Sequence, residues 1–174
     1  MALNLANKRV AVLGAGKMGG ILVKAFLEKK LLSPKLTTVT VQHEERASAL
    51  SKKLGIPVGT NNVAAVKKAD VVLVCLKPQV VQGVLEEIRK SMRPEQLVIS
   101  VAASVPTSSI ESALGGKVPV VRAMPNTPCL IGQGMTALCK GNHAGAEHLE
   151  IACELFNVVG RTVVVDEKHM GSSL

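Results

Sequence analysis

Hydrophobic positions along the chain switch repeatedly between two periods. Lys8 to Leu13 is a short apolar run ended by glycines, and Met18 to Lys30 then sets Met18, Ile21, Leu22, Ala25 and Phe26 at helical spacing. Thr37 to Val41 is β-branched and strand-like, whereas Glu44 to Leu54 predicts a helix with acids in its first turn and Gly55 just past its end. A short stretch at Pro57 to Gly59 leads to Asn61 or Asn62 as the N-cap of a brief helix. Asp70 to Leu76 is then a buried strand, Val80 to Met92 a helix, and Leu97 to Ala102 another strand. Ser108-Ser109-Ile110-Glu111 matches a capping box opening a helix that stops at Gly115-Gly116. Val118 to Ala123, Gly134 to Cys139 and Arg161 to Asp166 are further strands, with a helix from His143 to Asn157 between the last two. Near-continuous apolar strands alternating with helices predict an α/β domain, doubly wound, with a mostly parallel sheet covered on both faces.

Composition narrows the classes. The 174 residues amount to one ordinary domain, or one plus a stub, and are enough to fold without disulfides or metal. With 47% hydrophobic and 20% charged residues the chain is neither disordered nor fibrous. No apolar run reaches 18 residues, so no membrane-spanning helix is expected, and the segment from Met1 to Arg9 lacks the apolar core of a signal peptide. Phe26 and Phe156 are the only aromatic residues, which removes the stacking platforms of a nucleic-acid binder. Net charge is +8, and it is unevenly placed: residues 1–60 hold ten Lys/Arg against three acids, the remainder eleven against ten. That excess is either a solvated basic face or a site for something anionic. Cys75, Cys129, Cys139 and Cys153 show neither CxxC pairing nor metal-ligand spacing, so they read as reduced thiols of a cytoplasmic protein, with no metal site. Cys75, inside an apolar run, reads as a small core residue.

Gly14-Ala15-Gly16-Lys17-Met18-Gly19 follows a strand and opens a helix, the context that makes G-x-G-x-x-G a dinucleotide-binding fingerprint rather than a simple tight turn. In this reading Gly14 permits the turn, Gly16 lets the backbone approach a pyrophosphate, and Gly19 allows close helix–strand packing. The helix N-terminus supplies unpaired N–H groups to the anion. The second strand ends Val41-Gln42-His43 with no acid for a ribose 2′-hydroxyl, and Arg46 follows within reach of a 2′-phosphate. The expected cofactor is therefore NADPH, with NADH as the alternative. Glu44 and Glu45 read as first-turn acids that favour the helix dipole.

Three further strings close successive strands: Cys75-Leu76-Lys77-Pro78-Gln79, Val101-Ala102-Ala103-Ser104-Val105, and Arg122-Ala123-Met124-Pro125-Asn126-Thr127-Pro128. With the glycine loop, the series resembles the pyrroline-5-carboxylate reductase family over about Arg9 to Met170. The resemblance implies a Rossmann-like NAD(P)-binding domain and reduction of a cyclic imine to proline, the last step of proline biosynthesis. It also implies that Asn62 contacts the adenosine ribose, and that Leu76, Lys77 and Pro78 run along the nicotinamide half. Ala102 and Ala103 would let a ring lie against the backbone, and Asn126 would stand beside the nicotinamide. For Lys77 the lesser alternative is a solvated loop lysine, and Asn126 could equally be an Asx-type turn residue between two prolines. His143, His148 and His169 read as surface residues without chemistry.

Members of that family continue past the segment matching Asp166-Glu167-Lys168 into a helical domain that forms a homo-oligomer and carries the Gly-Pro-containing wall of the imine pocket. Here the sequence reads Lys168-His169-Met170-Gly171-Ser172-Ser173-Leu174. Gly171-Ser172-Ser173 comes too early for that wall and lacks the Gly-Pro, so no substrate-binding role is carried onto it. The expected organisation is a cofactor domain over residues 1–167 and a stub over 168–174 that begins a shortened helix. Apolar surface around Phe156 and Val163 to Val165 is then expected to be exposed. Catalytic residues are not assigned. The alternatives are a cofactor-binding form without catalysis, another imine or hydroxyacid reductase of the superfamily, and a basic nucleic-acid module disfavoured by the missing aromatics.

Overall fold

The structure is a computed structural model and describes residues 5–126 and 134–170. Thr127, Pro128, Cys129 and the stretch from Gly171 to Leu174 lie outside them.

Eight strands form a single sheet among the described residues: β1 (Val10–Leu13), β2 (Thr37–Thr40), β3 (Val58–Gly59), β4 (Val71–Val74), β5 (Leu97–Ser100), β6 (Val120–Pro125), β7 (Gly134–Lys140) and β8 (Gly160–Val164). Their order is β3-β2-β1-β4-β5-β6-β7-β8. The first six are parallel, β6 and β7 are antiparallel, and β7 and β8 are parallel again. The connecting helices are α1 (Lys17–Glu28), α2 (Glu44–Leu54), α3 (Asn62–Lys67), α4 (Pro78–Ile88), α5 (Thr107–Ala113) and α6 (Ala146–Phe156). The expected doubly wound, mostly parallel α/β architecture is the one found.

Period-two side-chain alternation divides the core. Val10, Val12, Val71, Leu73, Leu97 and Ile99 point to one face, where α1, α2 and α6 cover them. Ala11, Leu13, Val72, Val74 and Val98 point to the other, under α3, α4 and α5. The strands read as continuous apolar runs because both faces are covered. The order in which strands are added reverses between β1 and β4: from β1 the chain steps outward to β2 and β3, then returns to build β4, β5 and β6 on the other side. That switch point leaves a crevice at the carboxyl ends of the central strands.

Three local expectations are corrected. Ser108 does not cap a helix: α5 begins at Thr107 with Pro106 as its N-cap residue, and Glu111 is turned inward, 5% exposed, accepting from the His143 amide at 3.2 Å. Phe156 is fully buried, because α6 packs over α1 and sets Phe156 edge-on to Phe26 with ring centroids 5.7 Å apart. Among the described residues, the exposed large apolar side chains at this end are Val163 and Val164 on the edge strand β8 and Met135 on the neighbouring β7. Finally, the segment at Lys168 forms only a 3-10 turn, Glu167–His169.

That turn is clasped to the sheet. Glu167 accepts from the Thr107 amide and hydroxyl, both at 2.7 Å, and pairs with Arg122 at 3.4 Å. The Arg122 side chain is only 8% exposed and its Nε has no partner, so Glu167 supplies its counter-charge. Beside this pair the Cys139 thiol is pushed up to about 11, first by burial and then by the Glu167 carboxylate.

Candidate functional site

A groove of about 740 Å3 opens at the switch point. Its walls come from four connections that each follow the carboxyl end of a strand: Gly14 to Gly16 after β1, Thr40 to His43 with Arg46 after β2, Thr60 and Asn62 after β3, and Cys75 to Lys77 with one face of α4 after β4.

The glycine loop has the form its spacing requires. Gly14 has φ +73°, and a Cβ there would lie 2.3 Å from Leu76 Cδ2. Its amide donates to the Thr40 carbonyl at 2.7 Å, which ties the loop to β2. Gly19 faces Cys75 so closely that a Cβ would come within 2.9 Å of the Cys75 Cβ; this is the close approach of α1 to the end of β4. Gly16 differs: nothing lies within 4 Å of where its Cβ would be. It is the N-cap residue of α1, whose first turn carries no acid. The open space above Gly16 thus meets unpaired amides and the positive end of a 12-residue helix, a setting suited to an anion.

Polar side chains frame the mouth. Arg46, on the first turns of α2, donates from Nη2 to the Ala15 carbonyl at 3.2 Å, so its guanidinium reaches over the glycine loop. His43 is the N-cap residue of α2, with its side chain outside the cap. Glu44 and Glu45 do lie in the first turn of α2. On the facing connection Asn61, not Asn62, caps α3 by accepting from the Ala64 amide at 3.0 Å. Asn62 is thereby left to the groove, where its Oδ1 accepts from the Thr40 hydroxyl. Lys77 is exposed on the groove wall as the N-cap residue of α4, with Pro78 at the first helical position.

Eight of the sequence-derived candidates therefore share one groove: Gly14, Ala15, Gly16, His43, Arg46, Asn62, Leu76 and Lys77. Lys17, Met18, Gly19, Pro78, Ala102, Ala103 and Asn126 do not form its walls. Met18 packs partly into the core, and Ala102 is buried beside exposed Ala103. The turn between prolines expected at Asn126 runs into Thr127 and Pro128, outside the described residues; Asn126 Oδ1 accepts from the Met135 amide at 3.0 Å and clasps the end of β6 to β7.

Sequence reasoning missed part of the wall. Thr40, Thr60, Gln79, Val80, Val84 and Glu87 line the groove as well. On α4 a signal existed: Val81, Leu85 and Ile88 face the core, while Val80, Val84 and Glu87 repeat the same spacing one residue earlier. A second stripe with two valines beside a complete core stripe marks a helix that faces something else. Cys75, read as a core thiol, is on the groove floor, and burial pushes it up to about 12. It is a neutral packing group. No cluster of three or more metal-ligating side chains occurs among the described residues. Nor is any described helix long and apolar enough to cross a membrane.

Comparison with known proteins assigns the fold to a family. The family model described as coenzyme F420-dependent NADP oxidoreductase matches residues 9–104, more than half of the chain. The pyrroline-5-carboxylate reductase of Methanosarcina acetivorans is 34% identical over 166 residues, covering 95% of this chain and 62% of that protein. The solved pyrroline-5-carboxylate reductase of Coxiella burnetii is 28% identical with a TM-score of 0.86, covering 93% of this chain and 60% of that one. The Plasmodium falciparum pyrroline carboxylate reductase, solved with NADP bound, shares the fold at a TM-score of 0.83 and 21% identity, over 95% of this chain and 60% of its own. The chain thus spans about three fifths of the length of the relatives it matches. It belongs to this NADP oxidoreductase family and is a homologue of the N-terminal NAD(P)-binding domain of the pyrroline-5-carboxylate reductases.

Proposed function

We propose that the groove binds NADPH, with NADH as the weaker ligand, and that the chain is the cofactor half of a reductase converting pyrroline-5-carboxylate to proline. The carrying observation is the open space over Gly16 at the α1 N-terminus, with Arg46 and Asn62 framing the same groove. The residues fit the cofactor in sequence along it. Gly14, Ala15 and Gly16 cradle the pyrophosphate, with Lys17, Met18 and Gly19 fixing the helix that presents the amides. Arg46 pairs with the 2′-phosphate beside His43, and Asn62 meets the ribose. The apolar wall of Val80 and Val84 suits the face of an adenine ring. Leu76, Lys77 and Pro78 lead toward the nicotinamide, with Ala102, Ala103 and Asn126 beyond the groove on the same edge of the sheet.

When bound, the cofactor supplies a hydride to the C=N carbon of the imine, whose nitrogen takes a proton. This chain's residues hold and orient the dinucleotide. In this proposal the imine pocket and the homo-oligomer contacts belong to the two fifths of the relatives' length that this chain does not match. A cytoplasmic setting is part of the same reading, supported by the unbridged Cys75, Cys139 and Cys153. The span of the match favours one second reading, a cofactor-binding form that catalyses nothing by itself.

Titrating the purified chain with each dinucleotide, followed by nicotinamide fluorescence, tests the proposal. NADPH should bind, and Arg46→Ala should cost it about ten- to a hundredfold in affinity, as expected for loss of a charge-assisted contact. NADH should lose less, and added salt should narrow the gap. Equal losses for both dinucleotides would remove Arg46 from 2′-phosphate recognition. No proline should form from pyrroline-5-carboxylate; turnover within about tenfold of a full-length reductase would put the imine site on the residues present here.

A further inference from the structure

Next to the proposed 2′-phosphate position stands a carboxylate that sequence reasoning could assign only to the helix dipole. Glu44 opens α2, between His43 and Arg46, both of which line the groove; Glu44 itself does not. Its Oε1 accepts from the Thr60 hydroxyl at 3.0 Å, and Thr60 is a groove-wall residue on the connection between β3 and α3. The carboxylate is therefore one hydrogen bond away from a groove-wall residue without lining the groove itself. The bond spans two connections 16 residues apart, so only the folded domain creates it.

The position of this charge bears on cofactor choice. An acid that reaches the ribose accepts from a free 2′-hydroxyl and so favours the unphosphorylated cofactor. The same acid repels a 2′-phosphate, which carries about −1.5 to −2 charges near neutral pH. Arg46 lies two positions after Glu44 on the helix, a separation that places the two side chains on different faces and leaves Glu44 without an intrahelical partner there. The Thr60 hydroxyl, from another connection, is the side-chain partner that holds the carboxylate.

We propose that Thr60 is a specificity-determining residue that draws the Glu44 carboxylate out of the groove and thereby preserves selectivity for the 2′-phosphorylated cofactor. The inference rests on the groove being the NADPH site. It assigns to Thr60 no contact with the cofactor; Thr60 acts through Glu44.

Affinities of the chain for NADPH and NADH, measured side by side at low salt, test it. Thr60→Val should lower the NADPH-to-NADH affinity ratio about five- to tenfold, mainly by weakening NADPH, and added salt should shrink the change. Thr60→Ala, which deletes the hydroxyl without adding bulk, should reproduce the shift, and Thr60→Ser should retain the native ratio. Adding Glu44→Gln to Thr60→Val should restore that ratio to within about twofold, because the freed side chain is then uncharged. A ratio unchanged in both Thr60→Val and Thr60→Ala would overturn the inference. So would a double variant as impaired as Thr60→Val alone, since Thr60 would then be acting by some route other than Glu44. Absence of binding of either dinucleotide to the native chain would overturn the groove reading itself, and is recognised before any variant is compared.

Discussion

The two ends of the sheet use charge in opposite ways. Around β1, β2 and β4 the cation Arg46 is exposed, and it makes one hydrogen bond, to a loop carbonyl. Around β6, β7 and β8 the cation Arg122 is buried and neutralised by Glu167. The first arrangement keeps donors available to an incoming anion; the second spends its cation on holding the chain together. Exposed and solvated, Arg46 contributes little to stability, whereas a buried guanidinium stripped of its partner is costly. The comparison separates a binding region from an anchoring region within one continuous sheet.

The largest effect that would sharpen this contrast is at β8. Gly160 has φ +147°, and a Cβ there would fall 2.1 Å from the Gly134 carbonyl oxygen, a backbone atom that cannot turn aside. Gly160→Ala should destabilise the domain by about 3 kcal/mol or more through clash and strain. Chemical denaturation measures the loss. NADPH affinity of the folded fraction should stay within about twofold; a proportional loss of affinity would show that the two regions are not separable.

A smaller effect is expected at the clasp. Glu167→Ala leaves Arg122 buried without its counter-charge, and because Glu167 is itself 30% exposed the cost should be about 2 kcal/mol. Arg46→Ala, in contrast, should leave the unliganded melting temperature nearly unchanged. Thermal melts of the two variants, side by side, would break the comparison if Arg46→Ala proved the more damaging.

The smallest effect concerns Cys75. Its thiol ionises near 12 in the folded domain against 9.0 for the ordinary group, so the native state holds the proton more tightly than the unfolded chain. The associated stability is fully present below about pH 9 and is lost as pH rises through about 12. Replacing Cys75 with Ala should flatten that alkaline limb in denaturation curves measured across the interval. At pH 8 an alkylating reagent should leave Cys75 of the native domain unmodified and label it after denaturation.

Legibility in the sequence followed the range of the interactions. Strand positions and the glycine loop were readable because pleat alternation and turn geometry are set within a few residues. Arg46 was readable because it stands at a fixed offset from a strand end, whereas Asn62 was reached through the family resemblance, its own pattern offering only an N-cap. Thr60 was not readable, since it meets the groove only after separate connections have packed around the switch point. The Ser108 to Glu111 reading failed for the same reason: the local pattern was a valid cap, but the fold needed Glu111 inside to hold the His143 amide. Phe156 looked exposable until α6 was laid across α1.

The clasp at Glu167 also has a meaning in time. It joins Glu167 to Thr107 across 60 residues of chain, so it closes a long loop for a few hydrogen bonds, and its formation must wait for β5, β6 and β7 to assemble. Opening runs in reverse, with the 3-10 turn and β8 free to detach while β1 to β6 stay paired. The Thr107 amide, bonded to Glu167 Oε2 rather than within its helix, exchanges its proton when that outer unit opens. A single backbone position in the middle of the sequence thus reports the motions of the chain's far end.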